Sequence, residues 1–311
     1  MPHDAPDETT SQHGSSTPRE TAAGLLTAMR PRQWVKNVLV VVAPAAAGKV
    51  FHAHVAARTA VAFVAFCLVA SGVYLVNDLR DVEADRRHPT KRSRPIATGT
   101  VPRGLATGAA AVLVCAGLGI ATGLNWRLGV VVALYVAESM AYSFGWKRLS
   151  VIELGLVASG FVLRAIAGGV ASRVPLSSWF LVVISFGALF VVIGKRLAEF
   201  HSLGDGAVAH RSVLETYTRS FLQAGLILCA GVTVTAYCLW AFTPDTTGLG
   251  VHHAALWIQL SVVPVVLAVL YVLLQLDAGR GGAPEDLVLK DRTVQILGAC
   301  WAILVAVGVY R

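Results

Sequence analysis

The sequence predicts an all-α polytopic membrane protein on three observations. Of its 311 residues, 55% are apolar, only 14% are charged, and apolar runs of membrane-crossing length recur between short polar breaks from residue 37 onward. About nine transmembrane helices are expected, at roughly 37–55, 59–76, 104–122, 127–145, 151–170, 178–195, 220–242, 254–276 and 293–310. Pro44 and the small residues around it make the first of these short and predict a kink. Residues 1–21 are rich in Ser, Thr, Pro and acidic groups without an apolar period, so a disordered cytoplasmic tail is expected there. They also lack the basic and apolar regions of a cleaved signal peptide, so the first span is expected to stay in the membrane. One transmembrane catalytic domain is expected over 22–311.

Charge sets the orientation. With the N-terminus inside, only Lys49, Arg58, Arg127, Arg173 and Arg311 of the 26 Lys and Arg fall outside, and Arg164 lies within the fifth span. The rest sit on cytoplasmic segments. A net charge of +8 gathered at one membrane face points to lipid headgroups or an anionic substrate rather than nucleic acid. The loops after spans two, six and eight are long and charged, so the chemistry is expected inside. Cys67, Cys115, Cys229, Cys238 and Cys300 all fall in apolar runs and read as buried small residues, not as ligands or disulfides.

The most informative stretch follows the second span. Asp78, Asp81 and Asp85 are spaced i, i+3, i+7, which on a helix stacks three carboxylates on one face and turns Glu83 elsewhere. Such an arrangement repels itself unless a cation is shared, and hard oxygen ligands point to Mg²⁺. Arg80, Arg86 and Arg87 could instead neutralise a plain solvated loop. A second basic cluster, Lys91, Arg92 and Arg94, follows at once, and carboxylates for a metal beside cations for phosphate oxygens are the two halves of a pyrophosphate site. Lys36, Lys195 and Arg196 offer similar chemistry at other cytoplasmic span ends. Arg30, Arg32 and Trp34 suit either headgroup anchoring or substrate contact. Arg164 must face inward, towards substrate phosphate or a protein group such as Glu138. Tyr142, Lys147, Glu153 and Tyr217 are second-rank candidates at span ends.

Asn77-Asp78-x-x-Asp81-x-x-x-Asp85 resembles the first Asp-rich motif of the UbiA-type intramembrane prenyltransferase superfamily, whose members fold as nine-helix bundles around a cavity open to lipid. Further segments are similar to one branch, which moves a phosphoribosyl group onto a polyprenyl phosphate: Arg-Pro-Arg-Gln-Trp-Val-Lys-Asn at 30–37, Val-Tyr-Leu-Val-Asn-Asp at 73–78, Asp-Val-Glu-Ala-Asp-Arg at 81–86, His-Pro-Thr-Lys-Arg at 88–92, Arg-Pro-Ile-Ala at 94–97, Arg-Ala-Ile-Ala-Gly-Gly-Val-Ala at 164–171 and Gly-Lys-Arg at 194–196. The superfamily's usual second Asp-rich motif is missing. The matching segment, 195–219, begins Lys-Arg-x-x-Glu and holds Asp205 as its one aspartate, which suits a donor with a further phosphate remote from the metal.

The resemblance implies a Mg²⁺-dependent pentosyltransferase of the plasma membrane that takes phosphoribosyl pyrophosphate and decaprenyl (polyprenyl) phosphate from cell interior and bilayer. Its product leads towards the lipid-linked arabinose donor for cell-wall arabinan. Asp78, Asp81 and Asp85 are then expected as catalytic metal ligands, with Asn77 as a neutral ligand or orienting group. Lys36, Lys91, Arg92, Arg94, Tyr142, Lys147, Arg164, Lys195 and Arg196 are expected around the substrates. A prenyltransferase joining a prenyl diphosphate to an aromatic acceptor is the alternative within the fold, and a transporter the alternative outside it. Small residues such as those at Ala165 to Gly169 could support close helix contacts in a homo-oligomer.

Overall fold

A computed structural model describes residues 17–203, 216–243, 252–279, 287 and 290–310. Residues 1–16 of the expected tail, Asp205, most of the outer segment 243–253 and most of the charged stretch 284–292 lie outside the described residues. Every regular element among those described is helical. The first helix, α1 (Pro18–Ala28), takes in residues 18–21, which the sequence assigns to the tail. A capping box explains its start: Thr17 Oγ1 accepts from the Glu20 amide, and the Glu20 carboxylate accepts from the Thr17 amide at 2.8 Å, with Pro18 in the first turn.

Among the described residues, eight helices are long and apolar enough to cross a membrane. They are α3 (Ala53–Arg80), α6 (Arg103–Leu124), α7 (Trp126–Phe144), α8 (Ile152–Ser172), α9 (Ser178–Leu203), α10 (Arg219–Phe242), the tandem α11 (His252–Leu260) and α12 (Val262–Asp277), and α13 (Arg292–Tyr310). The predicted first span is different in kind. A 3₁₀ helix over Pro31–Val38 runs into the short α2 (Leu39–Ala46), which contains Pro44. The larger rise of the 3₁₀ turns lets these residues reach about 28 Å, close to the hydrocarbon thickness of a bilayer. Both ends of the bundle are in fact touched: Arg30, just before the 3₁₀ helix, meets Asp78, and the Ala45 carbonyl accepts from Tyr310 Oη at 3.1 Å. Among the described residues, about nine passes result, one of them short.

Small residues let these helices approach closely, since in lipid it is close packing and interhelical hydrogen bonds that hold helices together. A Cβ on Gly117 of α6 would stand 2.8 Å from the Ala65 carbonyl of α3, and one on Gly168 of α8 would collide with the Val40 carbonyl of α2. Ala165, Ala167, Gly168 and Gly169 are buried within this chain, so the stripe expected to serve an oligomer is already used inside it. Two apolar clusters fill the bundle, one around α3, α7 and α8 and one around α8, α9, α10 and α12. A third joins α1, α3 and the segment after α3. Exposed Leu, Ile and Val side chains on the outer helix faces suit contact with acyl chains.

Candidate active site

One end of the bundle gathers the charge. There α3 ends, the short helices α4 (Val82–Arg87) and α5 (Pro95–Thr98) follow, α6 starts, α7 ends, α8 starts and α9 ends. Helix-type hydrogen bonds continue across the α3–α4 junction at Asp81, with the Asp81 amide donating to Asn77 and the Asp85 amide to Asp81. Two full turns separate Asp78 from Asp85, so their side chains share a face to within about 20°, while Asp81 is turned about 60° away.

The expected trio of carboxylates is divided accordingly. Asp78 and Asp85 are buried, and a single nitrogen, Arg94 Nη1, lies 3.1 Å from Asp78 Oδ1 and 2.7 Å from Asp85 Oδ2. Arg30 Nη2 approaches the same Asp78 oxygen at 2.5 Å while its guanidinium lies over the Tyr74 ring. Asp81 faces the other way, where both its oxygens accept from Lys147 Nζ at 2.9 and 3.1 Å. Among the described residues no three His, Cys, Asp or Glu side chains stand together as a finished metal site. Asp78 and Asp85 nevertheless hold one cationic nitrogen between hard oxygen donors, and this donor set fits a magnesium ion. Glu83 points away, as its spacing predicts, and bonds Arg103 and Arg86. The Arg103 hydrogen bond, aided by Arg86, holds its carboxyl below the usual carboxylate range.

Other expected residues are nearby or accounted for elsewhere. Asn77 Oδ1 accepts from Ser143 Oγ at 3.3 Å. Lys91 and Arg92 are exposed on the turn before Arg94, Tyr142 is half-buried near the end of α7, and Lys195 is half-buried on α9. The Lys36 ammonium lies 5.9 Å from the centre of the Phe161 ring.

Two arginines among the candidates are held by protein groups. Arg196 is buried and doubly bound to Glu153, with both contacts at 2.7 Å, and its remaining nitrogen meets Glu199 at 2.7 Å. Its guanidinium is therefore occupied by protein carboxylates. Arg164 donates to Asn37 Oδ1 at 2.7 Å, to the Gly160 carbonyl at 2.5 Å and to Tyr135 Oη at 3.0 Å, and lies against the Tyr135 and Phe66 rings. Glu138 forms no ion pair with it and instead accepts from Ser159. Arg164 thus fastens the first pass to α8 rather than facing the charged end. Arg30 is the opposite case: a residue that also read as a headgroup anchor is joined to the aspartates. Trp34, another anchor candidate, donates to Ser71 Oγ inside the bundle.

The sequence profile of the UbiA prenyltransferase family matches residues 38–289. A decaprenyl-phosphate phosphoribosyltransferase from Mycolicibacterium smegmatis is 44% identical over 96% of this chain and 96% of its own length. The Mycobacterium tuberculosis protein of the same name is 45% identical over 94% of this chain and 96% of its own. A UbiA homolog from Archaeoglobus fulgidus, solved bound to DMAPP and Mg²⁺, superposes with a TM-score of 0.70 over 92% of this chain and 97% of its own at 14% identity, which speaks for the fold alone. A profile that spans most of the bundle, and relatives that align along nearly the whole chain, make this protein a member of the UbiA prenyltransferase family.

Proposed function

We propose that the chain transfers the 5-phosphoribosyl group of phosphoribosyl pyrophosphate to decaprenyl phosphate and releases pyrophosphate, a step towards the lipid-linked arabinose donor for cell-wall arabinan. The near full-length identity to relatives that carry this activity in their names carries the reading. The basic bias of one set of loops supports a plasma-membrane protein whose charged end faces the cytoplasm, where a soluble sugar donor is found.

In this reading Asp78 and Asp85, with Asp81 and Asn77 beside them, would hold Mg²⁺, which when bound neutralises charge on the pyrophosphate leaving group. Arg30 and Arg94 turn from the aspartates to the pyrophosphate oxygens, so that fixed cations stand where negative charge grows as the C1–O bond breaks. The lipid phosphate enters sideways from the bilayer, and its oxygen attacks C1 of the ribose as the pyrophosphate departs. No general base is needed, because a phosphate near neutral pH is already anionic. Alignment of the two substrates supplies much of the remaining acceleration.

A second reading, transfer of a prenyl group from a prenyl diphosphate to an aromatic acceptor, draws on the fold shared with the DMAPP-bound homolog. Purified enzyme in nanodiscs, given labelled phosphoribosyl pyrophosphate with decaprenyl phosphate, and in parallel dimethylallyl diphosphate with hydroxybenzoate, separates the two. A Mg²⁺-dependent phosphoribosylated lipid supports the first; product from the second mixture alone overturns it.

A further inference from the structure

The split of the aspartate motif leaves a cleft of about 440 Å³ on the outer side of the α3–α4 junction, facing the turn between α7 and α8. Asp81 and Lys147 line it together with Arg80, Arg87 and Arg148. Gly145, with φ of +145°, makes the turn that brings Lys147 and Arg148 back over the junction. The two acids on the cleft are already matched: Asp81 by Lys147, and Glu83 by Arg86 and Arg103. The three arginines are not. Arg80 lies over the Phe144 ring, Arg87 donates to the Glu83 carbonyl, and none of the three forms an ion pair with a described carboxylate. Three guanidinium groups around one hollow, none in an ion pair with a described carboxylate, favour an anion that accepts several hydrogen bonds at once.

The cation pair expected on α9 for a remote phosphate is unsuited to that task, since Arg196 is spent on Glu153 and Glu199. From these two observations we infer that the cleft seats a phosphate monoester, the 5-phosphate of the sugar donor, on Arg80, Arg87 and Arg148. This deepens the function proposed above and rests on it. The donor then straddles the α3–α4 junction, its pyrophosphate on the buried aspartate side and its monoester on the outer side.

The test is competitive inhibition of the full chain in nanodiscs by ribose 5-phosphate and by inorganic pyrophosphate, for wild type, Arg148→Ala, Arg87→Ala and Arg148→Lys. Both arginines are exposed, so loss of folding is not expected, and thermal unfolding checks this. Each alanine variant is expected to raise the inhibition constant of ribose 5-phosphate about tenfold, while that of pyrophosphate moves less than about twofold. Arg148→Lys should restore part of the loss. An unchanged constant for ribose 5-phosphate overturns the proposal, as does a rise confined to the KM for decaprenyl phosphate, which would make the cleft a seat for the lipid headgroup. Wild-type turnover separates the two levels: with turnover, failure of the inhibition pattern removes the cleft assignment alone, and without it both readings fall.

Discussion

Asp85 and Arg94 are joined at 2.7 Å through a nitrogen that also reaches Asp78, so one guanidinium stands where two buried carboxylates converge. Two carboxylates that close would repel, and a positive charge between them removes the conflict. In the proposed reading a metal ion would compete with this arginine for the same oxygens.

Arg94→Gln removes the competitor. The half-saturating Mg²⁺ concentration for turnover should fall several-fold while the KM for phosphoribosyl pyrophosphate rises about tenfold, because in the proposed reading the same side chain serves the donor. Opposite movement of the two constants is the signature, and a parallel rise in both would show that Arg94 does not stand in for the metal.

Asp81→Ala and Asp85→Ala test the metal assignment at limiting Mg²⁺. Each should reduce turnover by about 10–100-fold, the range seen when a metal's supporting groups are removed. Full activity of either variant at low Mg²⁺ would take that residue out of the site.

Glu153→Gln leaves Arg196 with only Glu199 in a buried setting. Breaking one partner of such a pair costs about 3–5 kcal/mol. Replacing both at once, by Glu153→Leu with Arg196→Met, should restore part of the stability, as read by thermal unfolding in nanodiscs. Equal losses in single and double variants would show that the pair is not coupled.

Arg164→Met should lower the unfolding temperature, since Asn37 and Tyr135 lose a buried donor. The KM for the sugar donor should stay within about twofold in the protein that folds, because the arginine meets other side chains and not the charged end. A large donor effect without loss of stability would return Arg164 to the substrate.

Much of the architecture is legible in the residues. Apolar length fixes the long passes, and the i, i+7 spacing of Asp78 and Asp85 fixes their common face. The parts that stay hidden depend on partners far away in sequence. Nothing local distinguishes Arg196, which is consumed by Glu153, from Arg94, which meets the aspartates, because both are arginines at the same end of the bundle. The first pass is legible as a short span near Pro44, but not its bounds, because its 3₁₀ turns carry it from Pro31 to Ala46 rather than over 37–55. Arg164 shows the reach and limit of intramembrane charge: its cost says that it faces inward, but not which neighbour it meets.

That first pass bears on biogenesis. Asn37 finds its arginine partner 127 residues further along the chain. At ordinary synthesis rates that interval is on the order of ten seconds. Over this time the newborn segment carries a proline and an amide whose nitrogen finds Cys67 Sγ 30 residues on, while its oxygen waits for the Arg164 guanidinium. The contacts of Trp34 and Asn37 with α3 can form first, and the Arg164 bond that completes the seating of the first pass follows only once α8 has been made.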